Sequence, residues 1–181
     1  MAPAPGTLLI AEPYLPDANF FRAVILLVEH NAGGSLGFVL NHPMPVQVKE
    51  VTDYFGEIPN TLYRGGPVEK NKLFVLHAIP QLPDSQKIIE GVYWSADPRA
   101  LRAVLATRDL PDTVIRFLAG YAGWAPGQLD YELARKAWIV APARAEYVFF
   151  PEPQKLWQQV LSDLGGKYAF LATLPEDPTV N

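Results

Sequence analysis

The chain contains no cysteine among its 181 residues, which removes thiol catalysis, zinc–thiolate centres and iron–sulfur clusters together. Histidine is almost as scarce, with three in the whole chain, and no HExxH or HxH spacing joins them. Long apolar runs are missing too: the longest uncharged one is Ala23–Val28, far below the roughly 20 residues of a membrane-spanning helix. Met1–Gly6 reads Met-Ala-Pro-Ala-Pro-Gly and carries neither the basic nor the apolar part of a secretory signal. Together with the absent cysteine, this gives the expectation of a cytoplasmic protein with no membrane association. An excess of basic charge is also lacking. Fifteen Lys and Arg against nineteen Asp and Glu leave a net charge of −4 and a pI near 5.3. Such a balance argues against a protein whose main task is neutralising phosphates.

What is present describes an ordinary folded domain. Hydrophobic residues make up 49% and charged residues 19%, a balance that excludes overall disorder. A chain of this mass hides about 70% of its surface on folding, so its core needs no disulfide or metal. No repeat or composition break divides residues 1–181, which read as a single domain. Eighteen prolines are scattered along it and punctuate many short elements.

Short apolar or β-branched runs bounded by turn residues predict strands at Thr7–Ala11, Ala23–Val28, Leu36–Leu40, Leu62–Arg64, Leu73–Ala78, Lys87–Trp94, Thr113–Leu118, Ala137–Val140, Tyr147–Phe150 and Tyr168–Leu171. The second and third flank His30–Gly34, a Gly/Asn loop of hairpin character, and lack alternation, as expected of strands buried on both faces. Asp97-Pro98 supplies an N-cap and a first-turn proline for a helix with Leu101, Val104 and Leu105 on one face. Pro153 opens a second helix that stops at Gly165-Gly166; Gln128–Lys136 is a third and Val48–Phe55 a weaker fourth. The irregular order predicts an α+β fold with a mixed or mostly antiparallel sheet flanked by three or four helices. The polar tail from Pro175 to Asn181 is expected to fray.

Three stretches carry a family resemblance. The first is Glu29-His30-Asn31 followed by Gly37-Phe38-Val39-Leu40-Asn41-His42-Pro43. The second is Tyr63-Arg64-Gly65-Gly66-Pro67-Val68, with Phe74-Val75-Leu76-His77 after it. The third and most specific runs from Gly120 through Tyr121, Trp124 and Gly127 to Leu129, and closes with Ala137-Trp138. In order, spacing and length the chain resembles the YqgE/AlgH family of bacterial proteins over nearly its whole extent. Ala125 departs from the family's usual glycine. The resemblance implies a single α+β domain with a helix-flanked central sheet and carries the label of transcriptional regulator. It transfers no catalytic residue, cofactor or ligand.

The residues themselves offer several constellations. Gly33-Gly34-Ser35-Leu36-Gly37 matches G-x-S-x-G, but a strand follows where a nucleophile elbow needs a helix, so it reads as a hairpin turn. His30, His42 and His77 stand 12 and 35 residues apart, match no ligand pattern and read as structural histidines, with no metal or cofactor expected. Asp130 and Glu132, two apart on one helix, point different ways and read as a solvated face, with Glu132 and Lys136 at ion-pair spacing. A helix-turn-helix from Pro98 to Leu118, using Arg99, Arg102, Arg108 and Arg116, meets Pro111 and a β-rich second half, which disfavours direct DNA contact.

The strongest binding candidate is the Gly/Pro/aromatic loop running into the third helix. Tyr121 and Trp124 can stack on or cover a flat ligand, and Gly127 and Gln128 sit where free amides attract anions. Arg64-Gly65-Gly66 is a second glycine-rich turn, carrying a cation that can face the first. The expected function is therefore a binding or regulatory module for a small anionic ligand or a protein partner. The alternatives are a regulator that touches DNA and an enzyme without a recognised motif.

Overall fold

In the computed structural model, which describes residues 1–180, ten strands form one curled sheet whose main path runs β10-β1-β2-β3-β9-β6-β8-β7. The strands are β1 (Thr7–Ala11), β2 (Val24–Asn31), β3 (Gly34–Val39), β4 (Pro43–Gln47), β5 (Thr61–Arg64), β6 (Val68–His77), β7 (Gln86–Ile89), β8 (Val92–Trp94), β9 (Ile115–Trp124) and β10 (Trp138–Pro142). Every pairing is antiparallel except that of β5 with β9. The helices are α1 (Pro98–Thr107), α2 (Gln128–Ala134), α3 (Ala145–Val148), α4 (Leu156–Leu164) and α5 (Gly166–Leu171). None is long and apolar enough to cross a membrane among the described residues.

Alternate residues of the central strands feed opposite faces. Leu8, Ile10, Val24, Leu26 and Phe38 pack under Val148, Trp157, Val160 and Leu161 of α3 and α4. Their neighbours Leu9, Ile25, Leu27 and Val39 pack with Leu15 and Phe20 of the β1–β2 connection and Leu129 of α2. A third cluster lies under Leu101 and Leu105 of α1 and includes Ile115 and Phe117. Every residue from Ala23 to Val28 is fully buried. An unalternating apolar run is what such two-faced burial requires.

The centre of the sheet is a crossing of two backbones. β5 lies parallel along Phe117–Ala119, and Gly65 continues it, donating to Ala119 O at 2.8 Å and accepting from Val39 N at 2.9 Å. The chain then passes over β9 and returns on its other side as β6, with Val68 opposite Tyr121. A Cβ on Gly66 would stand 2.1 Å from the Tyr121 carbonyl carbon, and one on Gly120 2.6 Å from Gly66 O. Gly120 also holds φ at +73°. No side chain fits either position.

Several expected elements differ. Tyr147–Phe150 and Tyr168–Leu171 fall in and around the helices α3 and α5 rather than in strands, which raises the helix count to five. Short apolar runs look alike in both states, and these two pack as short helices onto the core. Lys87–Trp94 is a hairpin of β7 and β8 turning at Glu90-Gly91, and Val48–Phe55 yields only a 3-10 turn over Val48–Glu50. Gly120–Trp124, read as loop, is the end of β9, and β4 was not expected because Pro43 and Pro45 hide it. The hairpin at Ala32-Gly33 forms as expected, with Asn31 Oδ1 accepting from Gly33 N at 2.7 Å. Pro175 is tied by its carbonyl to Arg22 Nη2 at 2.7 Å, while Asn181 lies outside the described residues.

Replacing Gly66 by Ala should cost about 3 kcal/mol or more, since neither backbone can yield. Thermal melting should show a fall of roughly 2–4 °C for each kcal/mol. A melting temperature within a degree of the parent would refute the crossing.

Candidate functional site

The end of β9, the start of β10 and the face of α2 meet the β1–β2 connection around a cavity of about 650 Å³. Its inner wall is aromatic. Phe20 stacks on Trp124 with ring centroids 6.3 Å apart and meets Trp138 edge-on at 5.7 Å, while the two indoles stand 6.1 Å apart at 80°. Both tryptophans are 5% exposed, so they form the wall rather than project from it.

Buried indole N–H groups need acceptors, and one carboxylate serves both. Glu132 Oε2 accepts from Trp124 Nε1 at 2.9 Å and from Trp138 Nε1 at 2.7 Å. Its other oxygen accepts from Gln128 Nε2 at 3.2 Å, four residues earlier on the same face of α2. Gln128 Oε1 in turn accepts from Ala125 N at 3.0 Å. Glu132 is thus the polar centre of the wall, a correction to its reading as part of a solvated face, and it forms no ion pair with Lys136. Gly127 holds φ at +78° before α2, and a Cβ there would meet nothing within 4 Å.

Two cations line the cavity on its solvent side. Arg135 lies over the Tyr131 ring at 5.4 Å and donates to its hydroxyl at 3.1 Å. Lys136 lies in the turn after α2 with φ at +60°. Among the described residues neither makes an ion pair. Glu12 and Asp17 face them from the β1–β2 connection, with Asp17 Oδ1 already accepting from Asn19 N at 2.8 Å.

Of the residues singled out in the sequence, Trp124 and Gln128 line this cavity and Gly127 adjoins it. Arg64 reaches the cavity's wall segment through a hydrogen bond to Asn19 Oδ1. Gly65 and Gly66 serve the backbone crossing, and Tyr121 packs edge-on against Phe74 at 5.7 Å, outside the cavity. Phe20 and Arg135 were not singled out, Trp138 was noted only as part of the family motif, and Glu132 and Lys136 were read only as an ion-pair spacing on a solvated face. The four-residue spacing of Gln128 and Glu132 was a signal for one of them.

The three histidines lie apart. His77 is fully buried. Its Nδ1 accepts from Ile79 N at 3.1 Å, which leaves Nε2 as the donor toward Ser95 O at 2.9 Å. His30 Nδ1 is 2.7 Å from Ser35 Oγ, the G-x-S-x-G serine. Among the described residues no three His, Asp or Glu side chains gather closely enough to hold a metal ion. The stretch after α1 has no recognition helix: Ile115 opens β9, and Arg116 is 3% exposed over the Tyr63 ring.

Comparison with known proteins gives one consistent family. A family model described as AlgH-like matches residues 8–169. The UPF0301 protein of Chlorobium luteolum is 42% identical over 179 residues, covering 98% of this chain and 95% of that one. The UPF0301 protein of Cytophaga hutchinsonii is 39% identical, with 97% and 98% covered. Among solved structures, protein DIP2367 from Corynebacterium diphtheriae superposes with a TM-score of 0.79 at 27% identity, covering 96% and 94%. The AlgH protein from Pseudomonas aeruginosa superposes with a TM-score of 0.73 at 29% identity, with 97% of each chain covered.

Changing Glu132 to Ala leaves two indole donors without acceptors, at about 1–3 kcal/mol each. The variant should melt several degrees lower, and equality with the parent would refute its role. Burial holds the pKa of His42 and His77 below the usual 6.5, and Arg64 adds to the effect at His42. The folded chain therefore resists protonation that the unfolded chain accepts. The contribution of these two histidines to stability is fully present above about pH 6.5 and is lost progressively as the pH falls below it. Melting across that range should show the loss, and a His42→Gln variant should show less of it.

Proposed function

We propose that this chain, which belongs to the AlgH-like family, is a binding module and that its ligand is a small anion held in the cavity between the β1–β2 connection and α2. The observation that carries this reading is the pair of cations, Arg135 and Lys136, without acidic partners among the described residues and lining a cavity of about 650 Å³. That volume lies within the roughly 300–1,000 Å³ of small-molecule sites. The Phe20–Trp124–Trp138 wall supplies apolar surface, and the carboxylates of the lining, Glu12, Asp17 and the indole-bound Glu132, keep their negative charge, so the anion must be held at the Arg135 and Lys136 side. A regulatory role would then act through the ligand or through a partner. Of the four arginines named for direct DNA contact, Arg116 is buried, which leaves Arg99, Arg102 and Arg108.

Inorganic phosphate, nucleotides and phosphorylated metabolites should be screened by thermal shift on the parent and on Arg135→Ala/Lys136→Ala. A ligand at about 100 times its dissociation constant adds about 2.7 kcal/mol, roughly 5–10 °C for a domain of this size. The shift should vanish in the double variant. No shift with any anion, or one that survives the double substitution, contradicts the reading.

A further inference from the structure

Strands that end a sheet leave backbone donors and acceptors without partners, and proteins guard such edges with charge or proline. Two of the outer strands here are guarded. β7 carries Lys87, paired with Glu90 at 2.6 Å, and β4 carries Pro43 and Pro45. β10 is not. Its sequence Trp-Ile-Val-Ala-Pro holds no charge, and its only proline is the last residue.

The direction of each backbone group on β10 follows from its bonds to β1. Glu12 N donates to Ala137 O at 3.0 Å, and Ala143 N donates to Gly6 O at 3.1 Å. The odd-numbered residues therefore face β1, and Trp138, Val140 and Pro142 face outward. Among the described residues the N–H groups of Trp138 and Val140 have no acceptor. Ile139 and Val140 are also only half-buried, whereas the matching centre of β2 is fully buried. Exposed Lys136 and Arg144 flank the strand.

We propose that the outer edge of β10 is a strand-addition site for an extended peptide of a partner protein, uncharged and β-branched at its centre and acidic at both ends. Backbone pairing supplies the affinity and the flanking cations select the ends. A second copy fits less well: the antiparallel register centred on Val140 sets Lys136 against Arg144 of the other chain, like charge against like. An antiparallel peptide runs its carboxyl end toward Lys136, at the cavity. The edge carries the strand addition by itself, and only the placement of that acidic end beside Arg135 and Lys136 rests on the anion reading above.

The test uses the full chain with the synthetic peptide Glu-Val-Thr-Val-Thr-Val-Glu, followed by tryptophan fluorescence and amide hydrogen exchange. Binding should slow exchange at Trp138 and Val140. N-methylation of one alternate set of peptide amides should weaken binding about tenfold or more, and methylation of the complementary set should leave it unchanged. Because the protein is not altered, loss of folding cannot mimic the result. Binding indifferent to both methylation patterns, or exchange at Trp138 and Val140 that does not slow, overturns the proposal. Phosphate binding without peptide binding overturns it while leaving the anion reading intact. Self-association that protects the same two amides without peptide overturns it in favour of a second copy.

Discussion

Everything in this sheet is arranged around β9, and β9 can hold its place only because two backbones touch at Gly66 and Gly120. Its first half is flanked by β5 and β6, which are consecutive in the chain yet lie on opposite sides of it. The connection between them must pass over the strand, and the contact is close enough that a methyl group on either glycine would overlap backbone. Because β5 ends at that crossing, β3 can pair with the second half of β9, from Ala122 to Trp124. That pairing delivers Trp124 to the inner wall of the cavity.

The cavity depends on a second economy, one carboxylate shared by two indoles. Trp124 comes from β9 and Trp138 from β10, strands that are not neighbours in the sheet. Glu132 on α2 ties both, so the helix is held against two separate strands by one side chain. The same bonds occupy the acid's oxygens, and among the described residues Arg135 and Lys136, just after the helix, make no ion pair. A wall of packed aromatics with Arg135 and Lys136 on its solvent side is the arrangement on which the proposed anion site rests.

The parts of this legible in the sequence were those set by local chemistry. Asp97 caps α1 as its position before Pro98 implies, accepting from Arg99 N at 2.8 Å. Ala23–Val28 announced its two-faced burial by lacking alternation. The misread segments were those where tertiary contact decides. Tyr147 and Tyr168 carry β-forming side chains but sit in short helices that gain their stability from packing. Gly120–Trp124 looks like a loop because its glycines serve a crossing partner more than fifty residues away in the chain. At the cavity, Trp124 and Gln128 stood out by type and place, whereas Glu132 did not, since nothing local shows that two distant indoles converge on it.

The most direct measurement of the central claim is a nitrogen–proton titration of the four tryptophan indoles with a phosphate-bearing ligand. Trp124 and Trp138 line the cavity, whereas Trp157 donates to Ala11 O at 2.9 Å deep in the opposite core and Trp94 lies in β8. The account predicts that the Trp124 and Trp138 resonances move together and saturate while those of Trp94 and Trp157 stay fixed. Four stationary resonances, or movement led by Trp94 or Trp157, would contradict it.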